Sequence, residues 1–125
     1  MPTRQEQIDL ILDHYEHPRH RGPLVNADFV GSGTNPGCGD VLTMYLRLNG
    51  GQRIAEVSFE GQGCTISQAA ASLLTDLIVG KTLAEVVALD GQIMADEIGH
   101  ETVANRLACA TLALNAVKSA IETQA

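Results

Sequence analysis

Three cysteines and one aspartate are the residues best suited to metal or sulfur chemistry in this sequence: Cys38, Cys64, Cys109 and Asp40. Thiolates are good ligands for zinc and for iron–sulfur clusters. A carboxylate is a poorer ligand for soft iron and exchanges more readily. A site built from three thiolates and one exchangeable oxygen would therefore suit a cargo that has to be given away.

The surroundings of each cysteine indicate where it lies. Cys38 and Asp40 belong to Asn35-Pro36-Gly37-Cys38-Gly39-Asp40, a run typical of a tight exposed turn. Cys64 precedes an apolar helical stripe, so the free N–H groups at that helix N-terminus would favour its thiolate. Cys109 lies near the start of the last predicted helix, one position off its apolar stripe.

The spacing of the cysteines alone leaves a second interpretation open. No C-x-x-C or other short metal-binding spacing is present, and free cysteines are often small buried hydrophobes. An odd number of cysteines without a signal peptide argues against a disulfide framework. The residues by themselves therefore allow either a metal site or three structural thiols.

A β-hairpin is the best-supported element among those that must position these side chains. Residues 41–48 alternate strictly between apolar and more polar side chains. Asn49-Gly50-Gly51 is a strong hairpin turn, because asparagine and glycine tolerate positive φ. Residues 53–59 are predicted to return as a strand with Ala55, Val57 and Phe59 on one face. A short edge strand is expected within residues 26–33, around Phe29 and Val30, broken by glycines at 31 and 33.

Helical periodicity dominates both ends of the chain. Residues 5–16 predict a helix with apolar side chains at Ile8, Leu12 and Tyr15 and with Ile11 beside them, without a strong N-terminal cap. An apolar stripe between residues 66 and 78 predicts a second helix, and Thr82 with Glu85 fits a capping box. Residues 91–98 are consistent with a further helical turn, and residues 103–121 predict the longest helix. The element order indicates an α+β fold with helices on one face of a small antiparallel sheet.

Composition excludes several classes of function. The chain has 125 residues, which indicates a single domain spanning 1–125. A formal charge of −7 and the lack of a basic cluster argue against a nucleic-acid partner. No apolar run is long enough for a membrane span, and the first residues lack a signal-peptide core. We therefore expect a cytoplasmic protein.

Histidines offer a weaker metal hypothesis. His14, His17 and His20 are close in sequence, but Pro18 breaks the helix between them, so we expect all three to be solvated. His100 is distant from Cys109 along a helix and is not expected to be a ligand.

Three cysteine motifs in order resemble those of the IscU/SufU/NifU N-terminal family of iron–sulfur cluster scaffolds. The resemblance extends from about residue 8 to about residue 121. It also includes Asp13-His14-Tyr15 and Pro18-Arg19 near the N-terminus. The segments that carry it are Asn35-Pro36-Gly37-Cys38-Gly39-Asp40, Gly61-Gln62-Gly63-Cys64-Thr65-Ile66-Ser67 with Ala71-Ser72, and Arg106-Leu107-Ala108-Cys109-Ala110-Thr111-Leu112-Ala113.

This resemblance implies both a fold and a role. The fold would be a sheet of about three antiparallel strands, with helices packed on one side and the cysteines converging at one end. A pyridoxal-phosphate cysteine desulfurase would deliver sulfur to a scaffold cysteine. A transient [2Fe–2S] cluster would then form on Cys38, Asp40, Cys64 and Cys109 and pass to apo iron–sulfur proteins. The scaffold itself would catalyse no turnover.

Departures from the family pattern leave its branch open. Ala108 replaces the histidine of the IscU branch and the lysine common in the SufU branch. Residues 101–106 lack the prolines of the IscU chaperone-recognition segment, which puts an Hsp70-type chaperone partner in doubt. One alternative is a SufU-type zinc-dependent sulfur acceptor, in which Zn²⁺ takes the same four ligands. A structural zinc module without sulfur traffic is the third hypothesis. Zinc is expected in the as-isolated protein in any case.

Overall fold

The fold is a three-stranded antiparallel sheet covered by helices, as predicted. The computed structural model describes residues 3–35, 39–50, 52–103 and 106–124. The strand order is β1-β2-β3. None of the helices in these ranges is long and apolar enough to cross a membrane. The elements are α1 (Arg4–Glu16), β1 (Phe29–Asn35), β2 (Asp40–Leu48), β3 (Ile54–Gln62), α2 (Thr65–Ile78), α3 (Leu83–Val87), α4 (Gln92–Ile98), α5 (His100–Val103) and α6 (Leu107–Gln124).

Two helices form the layer that covers the sheet. Helix α6 packs on β1 and β2, α2 packs on β3, and the two helices pack on each other. Helix α1 lies outside them, against α2. The predicted alternation in β2 is confirmed, because Leu42, Met44 and Leu46 are buried in this core while the intervening side chains are not.

Strand β1 begins and ends later in the chain than the predicted range 26–33, and its glycines do not break it. It pairs with β2 from Phe29 to Asn35, straight through Gly31 and Gly33. A Cβ atom at Gly31 would lie 2.3 Å from the Ala116 carbonyl oxygen of α6. The glycine therefore serves close helix–sheet packing, which the sequence pattern alone does not distinguish from a strand break.

Strand β3 runs to Gln62, beyond the predicted end at Phe59. Its pairing with β2 shifts between Arg47 and Leu48, which creates a bulge. Because a bulge reverses the alternation of faces, Ile54 takes the core position that the simple pattern assigns to Ala55. Val57 and Phe59 are buried as predicted.

Helix α1 departs from its predicted orientation and cap. Thr3 and Glu6 form a capping box that the sequence analysis missed. Of the predicted apolar side chains, Ile11 is buried in the core, whereas Ile8, Leu12 and Tyr15 remain 37%, 43% and 45% exposed.

His14 faces the core of the molecule instead, so the expectation that it is solvated is wrong. Its side chain is buried, and Nδ1 lies 2.8 Å from the Ser72 hydroxyl of α2. That hydroxyl also accepts the Arg19 N–H at 2.8 Å, so it connects His14 to the segment that follows α1.

The C-terminal helices follow the prediction with one correction. The capping box of Thr82 and Glu85 is present at the start of α3, and α4 matches the predicted helical turn. Val103 belongs to the short α5, so the longest helix begins only at Leu107 rather than at residue 103.

Replacing Gly31 with alanine is expected to lower the free energy of unfolding by about 1–3 kcal/mol, because α6 would have to move away from β1. Urea denaturation measures the change. Gly50→Ala is the matched control, since a Cβ at Gly50 meets no atom within 4 Å. Equal stabilities for the two variants would contradict the close packing of α6 on β1.

Stability should fall in mild acid because of His14. Burial, reinforced by the nearby Arg19 charge, lowers the pKa of His14 below its usual 6.5. The unfolded chain then binds a proton more readily than the folded chain. The contribution of His14 to the free energy of unfolding is therefore complete above about pH 6.5 and is lost as the pH falls below it. His14→Gln should weaken this loss in urea titrations between about pH 7.5 and about pH 5.5. His100→Gln, at an exposed position, should leave the loss unchanged.

Candidate metal centre

A carboxylate and two thiols come together where one strand and two helices begin. Asp40 is the first residue of β2, Cys64 is the N-cap of α2, and Cys109 lies in the first turn of α6. One ligand atom from each residue lies within 4.8 Å of the other two. Cys38, the fourth predicted ligand, lies outside the described residues, so its place in the site stays a prediction.

Asp40 organises this cluster by a hydrogen bond to the start of α2. Its carboxylate is buried, with only 1% of the residue exposed. Oδ1 accepts the Cys64 N–H at 2.8 Å, and Oδ2 lies 4.0 Å from Cys64 Sγ. The side chain thus satisfies a free N–H of the helix N-terminus, a favourable place for an anion.

A glycine is required beside this carboxylate. A Cβ atom on Gly63 would lie 2.5 Å from both Asp40 Oδ1 and the Ser67 hydroxyl oxygen. Since contacts this short are forbidden, Gly63 allows the loop before Cys64 to approach both side chains. The predicted tight loop therefore brings Cys64 close to both Asp40 and Ser67.

The thiol of Cys64 is prepared for the thiolate form. Partial burial works to raise its pKa, and the Asp40 carboxylate acts in the same direction. Hydrogen bonding from the backbone N–H and hydroxyl of Ser67 and from the Cys109 thiol outweighs them and lowers the pKa below the usual value of 9.0. Since the thiolate is both nucleophile and metal ligand, Cys64 is equipped for either task.

Cys109 sits deeper than Cys64 and has a partner that the sequence analysis did not single out. It is 2% exposed, and the Asn35 side-chain amide donates to its sulfur at 3.5 Å. The backbone of Asn35 pairs with that of Asp40 across β1 and β2. In the sequence, Asn35 is marked only by its position as the first residue of the first cysteine motif. Ser67 lies in the second motif, where the sequence alone assigns it no role.

Histidine does not enter this cluster. Ala108 is exposed beside Cys109, and His100 is exposed and pairs with Asp96 at 2.6 Å. Within the described ranges, Asp40, Cys64 and Cys109 form the only group of three or more such side chains close enough to share a metal ion. His14, His17 and His20 form no such group there.

This donor set fits zinc or iron. Thiolates suit both metals, and the carboxylate supplies one oxygen donor of weaker affinity for soft iron. The arrangement has three of the four donors of a tetrahedral site within mutual reach. The interpretation of Cys64 and Cys109 as unrelated structural thiols is therefore not supported.

Comparisons with known proteins give a consistent result. The family model of the NifU-like N terminal domain matches residues 6–124. The chain is 33% identical over 113 residues to the iron–sulfur cluster assembly scaffold protein IscU 1 of Archaeoglobus fulgidus, spanning 90% of this chain and 72% of that protein. It is 37% identical over 114 residues to the corresponding IscU of Escherichia coli K12, spanning 89% of this chain and 88% of that protein.

A solved structure shares the fold. It belongs to a protein described as an iron–sulfur cluster assembly scaffold for the SUF system from Fervidobacterium islandicum AW-1. The TM-score is 0.78 at 27% sequence identity, and the match covers 90% of this chain and 94% of that one.

Gly63→Ala is expected to weaken zinc binding by about 10- to 100-fold, because the new methyl group displaces Asp40 and Ser67 from their positions around Cys64. Competition titration against a chromophoric chelator measures the affinity. Gly50→Ala controls for the loss of a glycine elsewhere. An unchanged zinc affinity in Gly63→Ala would show that the loop does not set the ligand geometry.

Proposed function

This chain belongs to the NifU-like N-terminal domain family, and we infer that it is a scaffold protein for iron–sulfur cluster assembly. The observation that carries this conclusion is the convergence of Asp40, Cys64 and Cys109 from three separate elements. A structural zinc module would need no exchangeable donor, whereas a scaffold must release what it binds. The iron–sulfur cluster is therefore the cargo of this protein and not a resident cofactor.

The ligands we propose for this cargo are Cys38, Asp40, Cys64 and Cys109. A [2Fe–2S] cluster with four terminal ligands is consistent with three thiolates and one carboxylate. The described positions of Asp40, Cys64 and Cys109 support the proposal. The participation of Cys38 follows from its motif.

Sulfur would reach the scaffold by transfer to a thiolate. We propose a pyridoxal-phosphate cysteine desulfurase as donor, with a persulfide on its own cysteine. A scaffold thiolate attacks the outer sulfur, the S–S bond of the donor breaks, and the donor cysteine leaves as a thiolate. Cys64 suits this step, because it is more exposed than Cys109 and its pKa is lowered. Apo iron–sulfur proteins would then receive the completed cluster.

A zinc-dependent sulfur acceptor is the second candidate. The structural similarity to the SUF-system scaffold of Fervidobacterium islandicum favours it, as does a donor set that fits zinc. In that case the same four residues would hold Zn²⁺, which would keep their thiols in the thiolate form, and one of the cysteines would accept the sulfur. The protein would then act as a sulfurtransferase rather than as a carrier without turnover.

The remaining expectations depend on the scaffold role. The family match over residues 6–124 supports a single domain over 1–125. A cytoplasmic location stays a prediction. The segment 101–106 contains no proline, which keeps an Hsp70-type chaperone partner in doubt.

Anaerobic reconstitution distinguishes the two functions. The purified chain is incubated with ferrous iron, cysteine and a desulfurase, and the visible spectrum is followed. Sulfide-to-iron charge-transfer bands that transfer to an apo-ferredoxin indicate a cluster scaffold. A stable zinc protein that stimulates the desulfurase and never develops these bands indicates the zinc-dependent acceptor.

Zinc should accompany the protein through aerobic purification without chelator, because zinc lies above iron in the Irving–Williams order. Elemental analysis of the purified protein tests this. A zinc content below about 0.1 equivalent would contradict the expectation.

Asp40→Ala is expected to lengthen the lifetime of a bound cluster and to slow its transfer several-fold, because it removes the exchangeable oxygen and leaves a less polar site. Transfer half-times to apo-ferredoxin measure the effect. Asp40→Asn is the matched control for the helix cap, since an amide oxygen can still accept the Cys64 N–H. If Asp40→Ala transfers as fast as the unmodified protein and its cluster lives no longer, Asp40 only supports the fold.

A further inference from the structure

The sulfur that a desulfurase delivers and the sulfur that a cluster contains differ by two electrons. A persulfide carries sulfane sulfur, at the oxidation level of the element, whereas the bridging atoms of a [2Fe–2S] cluster are sulfide. A scaffold that receives a persulfide therefore needs a source of electrons before a cluster forms on it.

Cys64 and Cys109 are close enough to supply these electrons as a pair. Their sulfur atoms lie within 4.8 Å of each other, and the Cys109 thiol forms a hydrogen bond with Cys64. A disulfide bond is about 2.0 Å long, so side-chain rotation has to close at most about 3 Å. Oxidation of two thiols to one disulfide releases two electrons, which is the number that one sulfane atom requires.

Hydrogen bonds to two neighbouring strands hold this pair in place. The Cys64 N–H donates to Asp40 at the start of β2, and the Asn35 side-chain amide at the end of β1 donates to Cys109 Sγ at 3.5 Å. Asn35 and Asp40 pair with each other across the two strands, so both cysteines are tied to the same end of the sheet. The fold itself therefore places the two sulfurs side by side.

The two thiols differ in burial, and this difference gives the pair a direction. Cys109 is 2% exposed, whereas Cys64 is partly exposed and is the thiol proposed above to accept the sulfur. The outer sulfur of a Cys64 persulfide would occupy the more exposed side, away from Cys109. The inner sulfur, Cys64 Sγ, is then the nearer target for Cys109. Hydrosulfide is also less basic than a cysteine thiolate, so it is the better leaving group.

On the basis of the proposed scaffold function, we propose that Cys109 reduces the sulfur carried by Cys64 to sulfide. The Cys109 thiolate attacks Cys64 Sγ, a Cys64–Cys109 disulfide forms, and the S–S bond of the persulfide breaks. The electron pair of that bond leaves with the outer sulfur, which departs as hydrosulfide with its proton. The sulfane sulfur gains two electrons, and the two cysteine sulfurs together lose two. An external dithiol, itself oxidised to a disulfide, then restores both thiols for cluster binding.

A chemical sulfur donor tests this step without a desulfurase or a cluster. The metal-free, reduced full chain is mixed anaerobically with an equimolar amount of glutathione persulfide. Released sulfide is measured colorimetrically, and peptide mass spectrometry locates persulfides and disulfides. We expect about one sulfide for each Cys64–Cys109 disulfide. The zinc-loaded protein should release sulfide at least about 10-fold more slowly, because the metal engages both thiolates.

Variants of Cys109 identify the attacking thiol. Cys109→Ser and Cys109→Ala should each retain the persulfide on Cys64 and release sulfide at least about 10-fold more slowly than the unmodified chain. Ala108→Ser, at the exposed neighbouring position, is the matched control and should behave like the unmodified chain. A thermal melt checks that each variant folds.

Several results would overturn the proposal. They are thiols that stay reduced in the unmodified chain, a stable persulfide on Cys64 without sulfide release, undiminished sulfide release from both Cys109 variants, and a disulfide that joins Cys64 to Cys38 instead. Failure of the scaffold function appears separately, as the absence of a transferable cluster in the reconstitution described above.

Discussion

The hydrogen bond from the Cys64 N–H to Asp40 Oδ1 connects the strand layer to the helix layer at the candidate metal centre. It places the start of α2 against the start of β2 and aligns a carboxylate beside a thiol. The same carboxylate thus supports the fold and has an oxygen atom to offer a metal. Because Asp40 is buried, this hydrogen bond offsets part of the cost of removing its side chain from water.

The position of the second described thiol depends on the close packing of α6 on the sheet. Gly31 and Gly33 remove side chains from β1 where α6 crosses it. This allows α6 to lie near enough to β1 for the Asn35 amide to reach Cys109. Gly31 and Gly33 in β1 therefore help to position Cys109, just as the Asp40 carboxylate helps to position Cys64. Packing along the length of α6 determines the geometry at its first turn.

Helix α2 connects two regions of different chemistry. Its N-terminus faces the cluster of Asp40 and Cys64, while its C-terminal turn carries Asp76 beside His20. Between these ends the helix is buried on nearly all sides. His14 from α1 and Ser72 from the middle of α2 form a polar contact inside this packing. The helix therefore holds the two regions at a fixed separation.

The sequence by itself predicted the hairpin, the helical segments and three side chains that the structure brings together, Asp40, Cys64 and Cys109, because alternation, periodicity and cysteine motifs are local properties of the chain. It did not determine which face of α1 is buried, because an exposed apolar stripe and a buried His14 depend on what α2 presents to that helix. In the sequence, Gly31 likewise predicts a strand break. Its role in close packing follows only from the position of α6. Only the tertiary structure decided that Asp40 caps the helix of Cys64 and that Asn35 reaches Cys109, since these contacts join residues far apart in sequence.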